Sequence, residues 1–512
     1  MWFDPSSKLE WWSSTRRSRR EPRMAQSSVL NADLLAAPLA GDLEDSSDPR
    51  SFTRQTSFIQ GRKVSLVVAT LNVMNAIMGS GILALPSVMA ENGLVQYICL
   101  QLIIMLIVDF SLHLLVRSSL ARNVYSYEKL GIEAFGQRGR VLVSLTIIVQ
   151  NTGAILSYMI VVGDLAPVLL SSFLPDAPDG ERRALLMAIF VLGLSLPLAC
   201  LPKLGLLGYS SFFCFCVMVN LCILTAVEHA KLCGASEDDG NGTSALGLLS
   251  WPQTSVLLAD ADAYADAGAA TAAAPPSAPE AGGEICPAIE LARPGLGIAR
   301  ALPTLCFSFV CHTAFLPVLD ELTAADKIGR TRRPGWRVAT VGHCAIFLAG
   351  CLYMWAAVFG YLTFGEHVKG DLWLSYTDVA PSDPYVTAIR TAFLLGIICT
   401  IPLIFFPMRK TVTMLFWGAD APFSWRRHLL LTFGIMPCYL GVAILVPSIT
   451  KVFSVVGASS SVMLVFLLPS SIFLRCVPAQ DSSRALRLVV KLLFVAGIGV
   501  AATAFTALAL PE

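Results

Sequence analysis

The segment Asn72–Pro86, NVMNAIMGSGILALP, constrains the fold of this chain more than any other. It lies inside an apolar run from about Val64 to Ala90, which is long enough to span the roughly 30 Å hydrocarbon core of a bilayer. Glycine favours helix poorly and proline removes a backbone donor, so Gly79–Gly81 and Pro86 predict an interrupted helix. Non-helical backbone at membrane depth is tolerated only where it is buried in protein or lines a cavity. The segment therefore predicts half of a binding site inside a membrane.

Composition and periodicity predict an all-α polytopic membrane protein. Hydrophobic residues make up 55% of the chain, charged residues only 14%, and the mean hydropathy is +0.66, whereas soluble domains carry about 25% charged residues. A polar tail over residues 1–62 precedes a transmembrane domain over residues 63–512. Eleven spans are predicted, at about Val64–Ala90, Gln96–Val116, Val141–Phe173, Ala184–Leu201, Leu207–Val227, Gly297–Leu319, Val338–Phe364, Val386–Pro407, Leu429–Val446, Phe453–Leu474 and Val489–Leu510. The length of the third implies tilt or a helical extension beyond the bilayer.

Lysine and arginine concentrate in the N-terminal tail and in alternate loops, which predicts a cytosolic N-terminus by the positive-inside rule. With eleven spans, the C-terminus then lies on the opposite side of the membrane. The tail is rich in serine and arginine and is expected to be disordered. No apolar region precedes the first span, so no cleaved signal peptide is expected.

The loop over residues 228–296 is predicted to be extracellular or lumenal, and it is nearly devoid of lysine and arginine. It holds the sequon Asn241-Gly-Thr, which predicts a glycan on Asn241. Cys233 and Cys286 are the cysteines that lie clearly on this side, and a disulfide between them suits an oxidising compartment. The alternatives are an unused sequon and two free thiols. Ala261–Gly283 is an Ala/Pro-rich low-complexity insert, to which no structure is assigned.

A second interrupted span occurs at Pro303–Pro317, which carries polar residues at its centre and proline on both sides. It is the sixth span, five after the first. Interrupted segments at corresponding positions of two halves predict a transporter with an inverted repeat. Spans 1–5 and 6–10 are the expected repeats, with helices 1 and 6 broken and the eleventh helix outside the repeat.

The glycine-rich break predicts a site for a carboxylate. The N-terminus of a half-helix presents free N–H groups and a positive dipole end, so the backbone of Gly79, Ser80 and Gly81 is predicted to hold a substrate carboxylate. The carbonyls of Phe307 and Ser308, in the second break, are predicted to hold the substrate amino group. Alternatively, the Gly-Ser-Gly is a patch of small residues for tight helix packing.

The other end of the first break predicts a cation site. Carbonyl oxygens freed at Asn75 and Met78 can coordinate a hard cation such as Na⁺, and a hydroxyl from another span would complete the set. Thr400, within Ile398-Cys-Thr-Ile-Pro-Leu403, is the candidate for that hydroxyl.

Further polar residues fall within the predicted spans. Asp109 and His113 are four residues apart and so share a helical face, as a proton relay or as a neutral hydrogen-bonded pair. Asp164 is expected near an outer vestibule. His312, in the second break, either senses pH or hydrogen-bonds to broken backbone.

Several motifs match one family in unbroken order from about Val64 to Arg475. The chain resembles the sodium-coupled neutral amino acid transporters of the system A/N type, within the amino acid/auxin permease group. The similar segments are Asn72–Leu83, Ser111–Leu115, Tyr127–Gly131, Ala134–Gly136, Gln150–Ala154, Leu196–Leu198, Leu204–Tyr209, Phe309–His312, Phe359–Phe364 and Phe406–Arg409.

The resemblance implies eleven helices with a five-plus-five inverted repeat, and amino acid import coupled to Na⁺ bound between the first and eighth spans. Asn75 and Thr400 match the family's cation ligands. At Ile398 relatives often place a further threonine, so proton coupling or exchange without Na⁺ stays open. The Cys233 and Cys286 pair also resembles the family, and the Ala/Pro-rich insert does not.

These observations favour secondary active transport of a small neutral amino acid by alternating access. The alternative is a membrane amino acid sensor that signals through its cytosolic tail. A channel is disfavoured because no ring of like charges or filter-type repeat is present. No P-loop, metal-ligand cluster or nucleophile–base set indicates an enzyme, a cofactor beyond the coupling ion, or a nucleic acid partner. The host membrane is expected to be the plasma membrane or an endolysosomal or vacuolar membrane; the preferred amino acid and the oligomeric state stay open.

Overall fold

The computed structural model describes residues 66–170, 178–201, 208–234, 289–329, 334–380, 383–418, 421–446 and 448–509. The predicted N-terminal tail lies outside this part of the chain, as does most of the predicted exterior loop with Asn241 and Cys286. The disordered tail, the glycan and the Cys233–Cys286 disulfide therefore stay predictions.

The described residues are organised as a sequence of α-helices, two of which contain wider π turns. The helices are α1 Leu66–Ile77, α2 Gly81–Asn92, α3 Leu94–Arg122, α4 Tyr127–Leu169, α5 Asp179–Ala199, α6 Gly208–Gly234, α7 Gly297–Ser308, α8 His312–Gly329, α9 Pro334–Phe364, α10 Leu372–Val379, α11 Pro384–Trp417, α12 Trp425–Leu445, α13 Ile449–Cys476 and α14 Arg484–Ala509.

Length and apolar composition identify the membrane-crossing helices. Within the described residues, ten candidates are each long and apolar enough to cross a bilayer, and the count is eleven when α1 and α2 form one span bent by 58°. The all-α polytopic class is thus confirmed, and the eleven predicted spans equal the upper of the two counts. The symmetry between the two halves stays a prediction.

The long third span has its extension at its N-terminal end. Helix α4 is kinked at Gly136, whose φ of 65° lies in the left-handed region that favours glycine. A side chain on Gly139 would place its Cβ 2.0 Å from the carbonyl oxygen of Gly131, so the two backbone segments pass in close contact. The short segment Tyr127–Phe135 therefore folds back on the start of the membrane-crossing part.

The end of the exterior loop is tied to the turn between α2 and α3. The backbone N–H of Leu94 donates to Glu290 O at 2.9 Å, and that of Arg293 donates to Asn92 O at 3.0 Å. Gly93 makes this approach possible, because it has a φ of 79° and a Cβ there would lie 2.7 Å from the backbone N of Ala292. Only glycine fits both the conformation and the space.

A buried arginine closes the C-terminal end of α5. Arg409 of α11 is 5% exposed, and its Nη1 donates to Ala199 O at 2.8 Å and to Thr432 Oγ1 at 2.6 Å. His428 Nε2 lies 3.0 Å from Cys200 O. The last carbonyls of a helix lack intrahelical partners and carry partial negative charge. Arg409 and His428 supply the missing donors and join α5 to α11 and α12.

A second buried charge cluster lies at the start of α10, outside the membrane-crossing helices. Asp371 is 1% exposed, and its side chain accepts a hydrogen bond from the Trp373 backbone at 2.8 Å as a helix N-cap. Burial, together with the charge of Asp164, raises the pKa of Asp371 to about 8, against opposing effects of the Trp373 N–H and of Arg390. Arg390 is fully buried and donates to Thr377 Oγ1 at 3.0 Å.

Substitution of Gly93 tests the tie between the loop and the α2–α3 turn. Gly93→Ala should lower the free energy of unfolding by about 1–3 kcal/mol because of its positive φ and its backbone contacts. The thermal unfolding midpoint in detergent measures this. Gly434→Ala is the matched control, since a Cβ there meets nothing within 4 Å in α12. Equal midpoints for the two variants would contradict the prediction.

The raised pKa of Asp371 predicts a pH-dependent stability. The folded carboxyl keeps its proton up to about pH 8, while an unfolded aspartate loses it near pH 4. The folded state then binds more protons, so this group lowers stability as pH rises from about 4 to 8. Asp371→Asn removes that term. The unfolding midpoint of this variant minus that of wild type should therefore increase between pH 6 and pH 9. A difference that does not change with pH would refute the protonated state of Asp371.

Candidate functional site

The first break is packed against α4. Helix α1 ends at Ile77 and α2 begins at Gly81. A Cβ on Gly79 would lie 2.4 Å from the Tyr158 hydroxyl oxygen. The same hydroxyl interacts with the backbone of Ser80, whose Oγ lies 2.6 Å from Ser157 Oγ. Glycine at position 79 therefore lets a tyrosine hydroxyl reach the backbone of the break.

The second break lies directly against the first. Helix α7 ends at Ser308 and α8 begins at His312. A Cβ on Gly81 would lie 2.6 Å from Ser308 Oγ, so no larger residue fits without movement. The ring of Phe307 packs on Phe453 of α13, with 4.6 Å between the ring centroids. The structure thus brings the five residues predicted to hold substrate into one region.

Tyr353 of α9 spans the two breaks. Its hydroxyl lies 2.7 Å from Ile77 O and 3.3 Å from Ser308 O. These carbonyls belong to the C-terminal ends of α1 and α7, where intrahelical partners are missing. A tyrosine hydroxyl donates one hydrogen bond at a time. Tyr353, which is fully buried, therefore serves one carbonyl by a short bond and the other by a longer one.

A small cavity lies beside the first break, and the three residues predicted to bind a cation line it. Its volume is about 20 Å³, enough for one water molecule or a monatomic ion and too small for an amino acid. Asn75, Met78 and Thr400 all line it. The remaining lining residues come from α4, α6 and α11 and are Tyr158, Cys214, Val217, Met218, Phe393, Gly396 and Ile397.

Thr400 reaches this cavity from α11. Its Oγ1 donates to Gly396 O at 2.7 Å and lies 3.4 Å from Cys214 Sγ. Ile398, where the resembled family often has a threonine, does not line the cavity, and its carbonyl accepts from Ser195 at 3.2 Å. A hydroxyl absent at Ile398 therefore removes no oxygen from this lining.

Two polar residues that line the cavity were not predicted. Tyr158 and Cys214 bring a hydroxyl and a thiol to the cavity. Tyr158 follows Ser157, which the sequence marks as polar within the third span, but spacing alone does not show which face of α4 meets the break. Cys214 lies in an apolar run rich in cysteine and phenylalanine, where no pattern distinguishes it.

The predicted acidic residues have basic partners. Asp109 of α3 pairs with His343 Nδ1 of α9, a partner that the sequence did not identify because it lies 234 residues away. The predicted relay between Asp109 and His113 stays a prediction. Asp164 forms a salt bridge of 3.1 Å with Arg183 of α5.

His312 lies at the start of α8, in the second break. It is fully buried, and its Nε2 is 2.6 Å from Ser111 Oγ of α3. Its Nδ1 has no hydrogen-bond partner within the described residues. The partner of His312 is thus a hydroxyl of the second span, not the broken backbone that one of the two hypotheses named.

A double substitution tests the packing of the first break. Gly79→Ala should destabilise the fold by about 1–3 kcal/mol, because the new Cβ overlaps the Tyr158 hydroxyl. Adding Tyr158→Phe removes that oxygen and should recover most of the loss. Thermal unfolding of the four forms gives the coupling energy. Gly441→Ala, with nothing within 4 Å of its Cβ, controls for helix propensity; additive effects would contradict the contact.

Comparisons with known proteins agree with this architecture. The family described as "Transmembrane amino acid transporter protein" matches residues 62–254 and 293–510. The unmatched stretch between them contains the Ala/Pro-rich insert. Sodium-coupled neutral amino acid symporter 2 from Danio rerio is 31% identical over 437 residues, which cover 85% of this chain and 80% of the relative. The chain therefore belongs to the transmembrane amino acid transporter family and is a transporter, not an enzyme.

Proposed function

We propose that this chain moves small neutral amino acids by alternating access, with Na⁺ as the coupling ion. The name of the Danio rerio relative supports both the neutral substrate and the sodium coupling. The observation that carries the proposal is the contact between the two helix breaks at Gly81 and Ser308. Opposite helix ends meet there, as the recognition of a zwitterion requires.

The substrate carboxylate belongs at the N-terminal end of α2. Backbone N–H groups of Gly79, Ser80 and Gly81 carry the positive end of the helix dipole, which favours an anion. The hydroxyls of Tyr158 and Tyr353 interact with the backbone of Ser80 and Gly79 in this structure. A carboxylate would take their place, because a charged acceptor forms the stronger hydrogen bond.

The substrate amino group belongs at the C-terminal end of α7. The carbonyls of Phe307 and Ser308 lie at the negative end of that helix dipole. They accept from the Val310 backbone at 3.3 Å and from the Tyr353 hydroxyl at 3.3 Å. Both contacts are long, so an ammonium group can replace them with shorter, charge-assisted bonds.

The coupling ion belongs in the small cavity between α1 and α11. Hard cations prefer oxygen ligands, and the carbonyls of Asn75 and Met78 and the hydroxyl of Thr400 supply them. A proton site here would need a group that titrates near neutral pH, whereas the titratable residues of the lining are Tyr158 and Cys214, with no carboxylate or histidine among them. The donor set therefore favours Na⁺ over a proton.

Transport requires the two breaks to separate. Gly81 and Ser308 are in contact, so α1 and α2 must move relative to α4 and α7 before an amino acid can lie between the breaks. The contacts that open are the bonds of Tyr353 to the breaks and the 2.6 Å contact of Ser80 with Ser157. We place the N-terminus in the cytosol and the protein in the plasma membrane or an endolysosomal or vacuolar membrane.

Thr400 provides the test of sodium coupling. Uptake of labelled glutamine and alanine into proteoliposomes should require Na⁺ and fail when choline replaces it, at two pH values. Thr400→Val should raise the Na⁺ concentration for half-maximal uptake about 10- to 150-fold, because an oxygen lost from a charged partner costs about 1.5–3 kcal/mol.

The matched control is Thr503→Val. Both threonines donate to the carbonyl of a glycine four residues earlier, but Thr503 lies exposed on α14. Uptake that persists in choline would refute the cation site. Equal Na⁺ dependence of the two variants would show that the ion binds elsewhere. Binding of amino acid without concentrative uptake would favour the sensor over the transporter.

A further inference from the structure

A second cavity lies at the kink of α4, away from the two helix breaks. Its volume is about 420 Å³. Residues on both sides of Gly136 line it, together with a residue near the end of α13, and they are Ala134, Phe135, Arg138, Gly139, Leu142 and Arg475. The cavity opens at the surface beside a membrane-crossing helix.

The polar part of this cavity is cationic. Arg138 and Arg475 are both exposed, and neither forms an ion pair within the part of the chain that the structure describes. The Arg475 guanidinium lies 5.8 Å from the centroid of the Phe135 ring. Glu133 is the nearby acidic residue, with its charge acting on Cys476, and it does not line the cavity. Two arginines therefore line the cavity, and none of its lining residues is acidic.

An apolar stripe leads away from the cationic end. Leu142, Leu145 and Val149 follow Arg138 at positions four, seven and eleven along the helix, so they share one face. They are 44%, 48% and 42% exposed. The surface thus presents cationic groups at one end of α4 and a continuous apolar track along the membrane-crossing part.

We propose that this cavity and stripe bind an anionic phospholipid. Arg138 and Arg475 hold the phosphate of the headgroup, since arginine forms paired hydrogen bonds with phosphate oxygens. An acyl chain lies along Leu142, Leu145 and Val149. The predicted orientation places this end of α4 in the cytosolic leaflet, where anionic lipids are concentrated. A free anion would use only the arginines and would leave the apolar stripe without a role.

Ligand binding to the full-length protein in neutral detergent tests the proposal independently of transport. The probe is dioctanoyl phosphatidylinositol 4-phosphate, with dioctanoyl phosphatidylcholine and inorganic phosphate as comparisons. A ligand that binds the folded state raises the unfolding midpoint, and native mass spectrometry counts the bound lipid. We expect the anionic lipid to raise the midpoint, the neutral lipid to have little effect, and inorganic phosphate to bind far more weakly.

Variants locate the site. Arg138→Gln and Arg475→Gln should each weaken binding about fivefold, and together about 25-fold. Arg484→Gln, an exposed arginine of α14 that does not line the cavity, should leave binding unchanged. Leu145→Ser should weaken binding of the lipid and leave binding of inorganic phosphate unchanged.

Three results would overturn the proposal. The first is that the double arginine variant binds the anionic lipid as tightly as wild type does. The second is that phosphatidylcholine binds as tightly as the anionic lipid, and the third is that inorganic phosphate does so. The midpoints of the variants without ligand show whether each variant is folded, so a loss of binding is separable from a loss of structure.

Discussion

The contact between two interrupted helices is the constraint on which the rest of this structure depends. Gly81 and Ser308 touch because position 81 has no side chain, and this contact joins the positive end of α2 to the negative end of α7. The hydroxyls of Tyr158 and Tyr353 then satisfy backbone groups that the breaks leave without helical partners. The surrounding helices thus supply hydrogen-bond partners for buried backbone groups at bilayer depth.

Local patterns were sufficient to predict the spans and the positions at which two of them are interrupted. Apolar length, glycine and proline act within a single segment, so a sequence displays them directly. Tyr158, Tyr353 and His343 were missed because their roles depend on which helix packs against which. Each lies in an otherwise ordinary apolar helix, and its partner is distant along the chain.

Charges buried in the helical bundle are balanced by helix ends as well as by opposite charges. Arg409 lies between the carbonyl at Ala199 and the hydroxyl of Thr432, with the Phe405 ring 5.4 Å from its guanidinium. No carboxylate is needed, since the partial charge at the end of α5 attracts the cation. The sequence shows that Arg409 follows a proline-containing segment, but the helix end that it meets becomes visible only in the fold.

The Tyr353 hydroxyl has a single hydrogen, so it cannot donate equally to the carbonyls of the two breaks. The 2.7 Å bond to Ile77 O takes that hydrogen, while Ser308 O, at 3.3 Å, is served poorly. In this conformation the carbonyl of Ser308, at the end of α7, is therefore left with a weak donor. A bound molecule with N–H groups can donate to the Ser308 carbonyl, whereas a molecule with acceptors alone cannot. In the proposed substrate site, this shortage of donors would favour an α-amino group at the end of α7.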